Sequence, residues 1–359
     1  MKILIDIGHP AHVHLFKNFA IEMQKKGHIL MFTCRDKEFE IELLKTYDFK
    51  YVSFGRKFKS ISGKILGLLI FNFKMLITSL KFKPDIFLSH GSMYAAHVSW
   101  LIRKPHLTFE DTFNFEQIKL YKPFTSVILT SDYKHPDLGK RNIKYRGYHE
   151  LAYLHPRKFT PNNEVRNQLG VSTDEKYCIL RFVSWEATHD INHNGISLEN
   201  KRKLVERLSK YSKVFISSEK ELPSDLMKYK FPLHPNKMHD AMAFASLIFG
   251  ESATMISEGA VLGTPGIYLD NTGRLYTNEL EEVYNLVFNY NESEKDQIKA
   301  IDKAVEIIQS EESNIWVDRR SKLLDEKINV SEFLVWFVEK YPESKEIMRN
   351  NQNFQNKFK

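Results

Sequence analysis

The feature that most constrains the fold of this chain is an alternation of short apolar segments with longer segments of helical spacing. In the first half, the apolar runs are separated by segments in which apolar residues recur at the 3.6-residue period of a helix. The runs predicted as strands are residues 2–7, 29–33, 51–54, 85–89, 106–109 and 126–130. Strands separated by helices of this length form parallel sheets with right-handed crossovers, so this half predicts a Rossmann-like unit.

The alternation stops in a loop rich in tyrosine, histidine and proline at residues 141–163, and then restarts. The strands predicted after the loop are residues 177–183, 213–217, 247–250 and 266–269. A chain of 359 residues is also longer than one hydrophobic core usually supports. We therefore predict an α/β protein with two Rossmann-like domains, at 1–150 and 165–330, followed by a C-terminal helix and a frayed polar tail at 331–359. Their parallel sheets are expected to face a central cleft, because such sheets bind ligands at the carboxyl ends of their strands.

Composition excludes several classes of protein. The two cysteines, Cys34 and Cys178, lie far apart and match no metal or redox spacing, which excludes a disulfide framework and favours a reducing compartment such as the cytoplasm. The opening residues already belong to a predicted strand, which leaves no room for a signal peptide. The longest apolar run, at 65–71, is far shorter than the ~20 residues that span a bilayer.

The formal charge of +7 is a modest excess of basic residues. Such an excess is compatible with nucleic acid, an anionic membrane surface or phosphorylated small molecules as partners. The sequence contains no recognisable nucleic-acid-binding module, and its basic residues are not interleaved with a repeated aromatic pattern. We therefore expect no nucleic-acid partner.

The first candidate site is the loop after the first strand, which contains Gly8, His9, His12 and His14. A loop in this position lies at the carboxyl edge of the sheet, where its side chains can contact a ligand. Gly8 permits a sharp turn, and His12 or His14 can act as a general base near neutral pH. Two alternatives stay open: the histidines bind a metal, although no acidic or cysteine partner is adjacent in sequence, or they only cap the following helix.

The second candidate site is the segment 250–266, where small and hydroxyl residues open a helix directly after a strand. The residues in question are Ser252, Ala253, Thr254 and Met255. Free backbone N–H groups and the helix dipole make such a helix start suitable for a phosphate or diphosphate. Glu258 follows one turn after Thr254 and can accept hydrogen bonds from ribose hydroxyls. The alternative is an ordinary helix cap with Glu258 as a solvated charge.

The third candidate is the loop 181–190 after the first strand of the second half. Ser184, Trp185 and His189 in this loop suit polar and stacking contacts with a sugar or base, although Trp185 can equally be a buried anchor. A lesser candidate is the pair Glu110 and Asp111 after the strand at 106–109, since paired carboxylates can share acid and base roles.

A fourth feature is the predicted helix at 61–82, in which lysines flank a run of leucine, isoleucine and phenylalanine. A basic helix of this kind can rest on an anionic membrane surface. It can equally pack on the sheet with its lysines extended toward solvent.

At these elements the sequence resembles the GT-B superfamily, which contains glycosyltransferases and UDP-N-acetylglucosamine 2-epimerases. Within it, the sequence is similar to domain-of-unknown-function family 354 at residues 1–17, 148–156, 184–190 and 250–265. The resemblance covers about residues 1–330 and implies the GT-B fold with a nucleotide-sugar ligand. Membership of the family does not by itself decide the reaction.

The resemblance implies roles for several residues. The element Ala11-His12-Val13 is similar to the Gly-His-Val element of the MurG-type N-acetylglucosaminyltransferases, which implies that His12 is a base or contacts the sugar. Residues 252–258 are similar to the donor-binding element of both subfamilies. This similarity implies diphosphate contacts near Ser252 to Met255 and a ribose contact by Glu258.

The epimerase half of the resemblance is incomplete. Glu110 and His189 are similar to catalytic positions of the epimerases, but Ser92 stands where those enzymes carry an acid in a His-Gly-Asp element. No Asp-x-Asp metal motif lies in a suitable loop, which favours metal-independent chemistry without a cofactor.

The sequence therefore predicts a glycosyltransferase of polysaccharide biosynthesis. The enzyme would move a sugar from a nucleoside diphosphate, with UDP expected, to a surface-glycan or lipid-linked acceptor at the inner face of the cytoplasmic membrane. The second domain would bind the donor, and His12 of the first domain would deprotonate the acceptor. Two alternatives stay open: epimerisation or hydrolysis of UDP-N-acetylglucosamine through Glu110 and His189, and nucleotide-sugar binding without turnover.

Overall fold

The computed structural model describes residues 1–36, 39–56, 61–183, 193–311 and 314–359. The chain forms two compact units and passes between them twice. Unit 1 consists of residues 1–158 and 327–359, and unit 2 consists of residues 159–326.

Unit 1 contains a seven-stranded sheet in which all neighbouring strands are parallel. The strands are β1 (Lys2–Asp6), β2 (Ile29–Asp36), β3 (Tyr51–Arg56), β4 (Ile86–His90), β5 (His106–Phe109), β6 (Val127–Ser131) and β7 (Asn142–Tyr145). Their order across the sheet is β3-β2-β1-β4-β5-β6-β7. Every residue of β5 and β6 is buried, as expected where helices cover both faces of a parallel sheet.

Helices connect these strands and cover the sheet. They are α1 (Pro10–Lys25), α2 (Glu40–Thr46), α3 (Ile61–Phe82), α4 (Met93–Leu101) and α5 (Phe115–Tyr121). The first of them begins with His9 as N-cap and Pro10 in its first turn, where the missing proline N–H is not needed. His12 and His14, which were predicted in a loop, therefore lie in the first two turns of α1, directly after the carboxyl end of β1.

Helix α3 has two different faces. Phe71 and Met75 are buried in a hydrophobic cluster with residues of the sheet. Large apolar side chains on its other side are exposed; these are Leu66, Leu69, Phe73, Ile77 and Leu80. Within the described part of the chain, no helix combines the length and the apolar character that crossing a membrane requires.

Unit 2 contains a five-stranded parallel sheet of order β12-β11-β10-β8-β9. The strands are β8 (Tyr177–Phe182), β9 (Lys213–Ser218), β10 (Leu247–Gly250), β11 (Gly266–Leu269) and β12 (Val287–Tyr290). The helices are α6 (Glu164–Gln168), α7 (Leu198–Leu208), α8 (Met238–Ala243), α9 (Ala253–Leu262), α10 (Leu275–Glu282), α11 (Glu294–Gln309) and α12 (Asn314–Glu326). Strands β8 and β10 approach so closely that a Cβ on Gly250 would lie 2.2 Å from the Arg181 carbonyl oxygen, so only glycine fits there.

The chain then returns to unit 1 through α13 (Val330–Glu339) and α14 (Glu343–Asn350). The backbone N–H of Ile328 donates to the Arg146 carbonyl oxygen at 2.7 Å, and the Gln355 side chain accepts from the Arg146 N–H at 2.7 Å. Glu339 pairs with Lys26 at 2.6 Å, beyond the end of α1. The predicted C-terminal helix is present as α13. The expectation that the polar stretch after it is frayed is wrong, because that stretch forms α14 and its polar side chains bond to unit 1.

The prediction of two parallel α/β sheets is confirmed, but two edge strands were missed. Residues 142–145 had been assigned to the loop 141–163, whereas they form β7, with Ile143 and Tyr145 buried and their neighbours half-exposed. Strand β12 has only Val287 buried. Short edge strands have one covered face, so they lack the continuous apolar run that identified the central strands.

Candidate functional site

The three histidines of the opening loop have different surroundings. His9 caps α1, since its Nδ1 accepts from the Ala11 N–H at 3.2 Å. His14 lies further along α1, with its ring centroid 5.4 Å from that of Tyr153, a buried residue. His12 is half-buried, and its Nδ1 accepts from the Gly8 N–H at 3.2 Å. Since a backbone N–H can only donate, neutral His12 carries its proton on Nε2.

His12 belongs to a cluster that sequence analysis did not assemble. Its ring stacks on His90 with centroids 4.4 Å apart, and His90 ends β4. Asp111, in the loop after β5, contacts His90 Nε2 through Oδ1 at 2.9 Å. The second carboxylate oxygen of Asp111 contacts Nδ1 of His149, which follows β7, also at 2.9 Å. Four side chains that lie at or just after the ends of β1, β4, β5 and β7, at the carboxyl edge of the unit 1 sheet, thus come together.

Burial and neighbouring charges shift the pKa values of three residues in this cluster. Burial, together with the neighbouring His90 and His9, holds the pKa of His12 well below its usual range. Burial alone would raise the pKa of Asp111, but the nearby His149 and His90 more than offset it and hold that pKa well below the ordinary value. For His90, burial lowers the pKa, yet the charge and hydrogen bond of Asp111 prevail and raise it. Near neutral pH the cluster therefore combines an ionised Asp111 with a neutral His12.

The Glu110 carboxylate stabilises the loop that follows β5. Its Oε1 accepts from the backbone N–H groups of Thr112 at 2.9 Å and Phe113 at 2.8 Å, and its Oε2 accepts from the Tyr121 hydroxyl at 2.5 Å. These bonds hold a turn in which Phe113 has a φ of 53°. The side chain is buried, and its hydrogen bonds place Asp111, the next residue, at the cluster.

Ser92 is likewise engaged in structural bonds. It is the N-cap of α4, where its Oγ accepts from the Ala95 N–H at 3.2 Å. Its hydroxyl also donates to Oδ2 of Asp6 at 2.5 Å. Asp6 is buried and pairs with Arg35 at 2.5 Å through its other carboxylate oxygen.

In unit 2, the segment after β10 has the predicted geometry of a helix start. Ser252 is the N-cap of α9, and its Oγ accepts from the Met255 N–H at 3.4 Å. Ala253 and Thr254 occupy the first two positions of the helix, where backbone N–H groups have no acceptor within the helix itself. The site therefore presents N–H donors and the positive end of the helix dipole at the carboxyl edge of the unit 2 sheet.

Glu258 is not a solvated charge, because its relative exposure is 5%. Its Oε1 lies 2.9 Å from Nε2 of His239, on α8. His239 in turn contacts the ring of Phe159, with centroids 6.2 Å apart. The carboxylate is thus held in a fixed position, one turn of α9 beyond Thr254.

The predicted residues Ser184, Trp185 and His189 lie outside the described residues. The chain on either side of them is held by two buried carboxylates. Glu251 accepts from the N–H groups of Val183 at 2.8 Å and Ile196 at 2.6 Å. Glu292 accepts from the N–H groups of Asn194 and Gly195 at 2.6 and 2.7 Å. Neither carboxylate had been identified from the sequence.

Sequence reasoning missed His90 and His149 as members of the unit 1 site. Their position could have indicated them, because His90 ends one strand and His149 follows another strand of the parallel sheet that contains β1, the strand before His12. His149 was hidden because β7 before it had been assigned to a loop.

Comparison with known proteins gives a family and a fold. A family described as "Protein of unknown function (DUF354)" matches residues 1–315 of this chain. No curated protein matches the sequence.

Solved structures of similar fold include epimerases and glycosyltransferases. UDP-GlcNAc 2-epimerase from Neisseria meningitidis, bound to UDP-GlcNAc, is 15% identical, with a TM-score of 0.63 over 95% of this chain and 100% of that chain. MnaA from S. aureus, in a co-structure with UDP, is 13% identical, with a TM-score of 0.69 over 96% and 97%. SsfS6, a glycosyltransferase from Streptomyces sp. SF2575, is 10% identical, with a TM-score of 0.61 over 95% and 100%. The predicted GT-B fold is confirmed, and at these identities the likeness is one of fold alone.

Proposed function

The chain belongs to the DUF354 family. From its fold and its two sites we propose that it is a GT-B glycosyltransferase that uses a nucleoside-diphosphate sugar. Unit 2 would bind the donor, with UDP as the expected nucleotide. Unit 1 would bind the acceptor, a surface glycan or a lipid-linked sugar.

The observation that carries the donor half of the proposal is the relation between the start of α9 and Glu258. The N–H groups around Ala253 and Thr254, capped by Ser252, suit a diphosphate. A buried carboxylate one turn further along suits the two hydroxyls of a ribose. A diphosphate and a ribose are adjacent in every nucleoside diphosphate, so one ligand can use both features.

The hydrogen bonds of Ser92 and Glu110 favour sugar transfer over epimerisation. The epimerase-like mechanism through Glu110 needs a carboxylate that gains and loses a proton at the substrate. Here Glu110 accepts three hydrogen bonds from its own loop and from Tyr121, and Ser92 caps α4. Proton exchange at Glu110 would break the turn that positions Asp111. These contacts support a transferase.

His12 supports the acceptor half of the proposal, but as a hydrogen-bond donor and not as a base. The sequence-based hypothesis made His12 a base, but the bond from the Gly8 N–H to Nδ1 leaves the proton on Nε2. In this tautomer His12 donates a hydrogen bond. We therefore assign it to an oxygen of the acceptor or the transferred sugar, where a neutral imidazole donor stabilises developing negative charge.

The exposed face of α3 supports a membrane-bound acceptor. Leu66, Leu69, Phe73 and Leu80 are each more than half exposed along one side of the helix, and Lys81 is exposed near its end. An apolar stripe beside basic residues suits the surface of an anionic membrane. This contact would bring unit 1 to a lipid-linked acceptor.

Incubation with nucleotide-sugars tests the proposed function. A transferase consumes its donor only when an acceptor is present, whereas a 2-epimerase or hydrolase converts UDP-N-acetylglucosamine alone. Conversion without acceptor would contradict the proposal. Binding of nucleotide-sugars without consumption under any acceptor extract would indicate a protein that binds without turnover. A thermal shift with UDP reports donor binding separately, since ligand at 100 times its Kd adds about 2.7 kcal/mol.

A further inference from the structure

The cluster in unit 1 has the composition of a metal site as well as that of a hydrogen-bond network. His90 at the end of β4, Asp111 after β5 and His149 after β7 each offer one ligand atom, and these atoms lie within 4.8 Å of one another. The three residues are far apart in sequence, so no local spacing motif predicts that they form a site. The sequence analysis had found no acidic partner near the opening histidines, and the fold supplies one from another loop.

Only a small change in the distances within the cluster would be needed for an ion to enter. Both carboxylate oxygens of Asp111 lie 2.9 Å from an imidazole nitrogen, Nε2 of His90 and Nδ1 of His149. Ligands bound tetrahedrally at about 2.1 Å lie about 3.4 Å apart, so small side-chain rotations would admit the ion.

The two ring nitrogens of His149 have different surroundings, and only Nδ1 contacts Asp111. The Nε2 atom of His149 is buried and has no hydrogen-bond partner among the described residues. The ring is enclosed by the aromatic rings of Phe109, at 5.3 Å, and Tyr145, at 6.5 Å. An ion in the cluster would therefore bind His149 through Nδ1, and the neutral imidazole would carry its proton on Nε2.

The donor set restricts which metals fit. Two imidazole nitrogens and one carboxylate suit divalent transition metals such as Zn²⁺, whereas Mg²⁺ and Ca²⁺ prefer oxygen ligands. Three protein ligands leave at least one coordination position open, as catalytic zinc sites do. His12 is stacked on His90 with ring centroids 4.4 Å apart, so it lies next to the cluster.

We propose that His90, Asp111 and His149 bind a divalent transition metal, with Zn²⁺ as the best fit. The ion takes the place of the protons through which His90 and His149 donate hydrogen bonds to Asp111, and these protons are released to solvent. Its open position can bind a hydroxyl or phosphate oxygen. The proposal concerns unit 1 only and does not depend on the identity of the donor. A metal here would make the site a Lewis-acid centre next to the His12 donor.

Metal content and affinity test the proposal directly. Untagged protein, stripped with a chelator, is titrated with Zn²⁺ against a chromophoric competitor, and Co²⁺ is used separately for its visible absorption bands. We expect one ion per chain and a Co²⁺ spectrum typical of mixed nitrogen and oxygen ligands. The variants His90→Gln and Asp111→Asn keep similar size and hydrogen-bonding capacity. Each should weaken Zn²⁺ binding by more than about 100-fold, beyond the 10–100-fold typical of residues that only orient a ligand.

The matched control is His14→Gln, which removes a histidine from the same region outside the cluster. This variant should bind Zn²⁺ like the unmodified protein, and circular dichroism should show all three variants folded. Absence of stoichiometric binding by the unmodified protein would overturn the proposal. So would equal Zn²⁺ affinity in the protein and in both cluster variants, because the ion would then lie elsewhere.

Discussion

The Glu258 carboxylate lies 2.9 Å from Nε2 of His239, and both side chains are largely buried within unit 2. The pair joins α9 to α8, two helices that flank the start of the proposed nucleotide site. A ribose that bonds to Glu258 would meet a carboxylate whose position His239 has already fixed. Binding therefore loses little side-chain entropy at this residue.

The first prediction concerns Glu258→Gln, which keeps the volume of a buried side chain but removes its charge. Calorimetry should show nucleotide affinity reduced by about 1.5–3 kcal/mol, the cost of one charge-assisted hydrogen bond. The alanine variant is less suitable, because Glu258 is buried and truncation would leave a cavity in unit 2. Gln297→Ala, at another buried polar position of unit 2, controls for general destabilisation. Unchanged affinity in Glu258→Gln would assign the residue to packing alone.

The second prediction concerns His12. His12→Ala should reduce turnover by about 10²–10³-fold, as the loss of one preorganised donor does, while nucleotide binding in unit 2 stays nearly unchanged. His12→Gln, whose amide can also donate, should retain more activity than alanine. His14→Gln is the control, because that residue packs beside Tyr153. Equal losses in the glutamine and alanine variants would favour a base over a donor.

The third prediction concerns stability at low pH. His106, fully buried between the hydroxyls of Ser89 and Thr125, has its pKa lowered to about 3 by burial and by the nearby His97. Its ordinary value is 6.5, so the unfolded chain binds a proton there before the folded protein does. Stability is therefore complete above pH 6.5 and is lost as the pH falls toward 3. At pH 5 the loss from this residue should be about 2 kcal/mol.

Urea unfolding at pH 7.5 and pH 5.0 measures this loss. In the variant His106→Asn, the difference between the two pH values should shrink by about 2 kcal/mol, even though the variant is less stable at both. The same difference in the variant and the unmodified protein would show that other groups cause the acid sensitivity.

The fourth prediction concerns the exposed face of α3. The double variant Leu69→Gln, Phe73→Gln should lose co-sedimentation with anionic vesicles, because each side chain contributes about 1.5–3 kcal/mol when it leaves water. That energy corresponds to about a tenfold or greater loss of partitioning per residue. Val317→Gln changes an equally exposed apolar residue in unit 2 and should have no effect. Recovery of the unmodified protein in the supernatant, with and without vesicles at low salt, would contradict membrane contact.

Much of the fold was predictable because buried parallel strands have a strong signal. Strands β5, β10 and β11 were located at the correct residues, and every residue in them is buried, as expected for central strands that helices cover on both sides. The edge strand β7 alternates buried and half-exposed residues, and at four residues it is too short for its period to be recognised. The order of the last residues was missed because Gln355 and Asn356 bond to Arg146, which lies about 200 positions away in the sequence.

The two sites differed in how far sequence could predict them. Ser252 and Glu258 lie in one helix, so local spacing sufficed to relate them. The unit 1 cluster is assembled from residues at or just after the ends of β1, β4, β5 and β7, and only the sheet order brings these strand ends together. Glu110 and Asp111 show the limit most clearly. Adjacent carboxylates have opposite roles, one holding a turn and the other facing two histidines, and nothing in their local sequence distinguishes them.

The return of the chain to unit 1 affects how the protein is made. About 200 residues separate Lys158 from Lys359, and at roughly 5–20 residues per second their synthesis takes about 10–40 s. During that interval unit 2 emerges as one uninterrupted piece, while the earlier half waits without α13 and α14. The face of α1 that α13 later covers stays without that cover until α13 has been synthesised. The half of the protein that is synthesised first is therefore the half that finishes folding last, and its nascent form is the one a chaperone would meet.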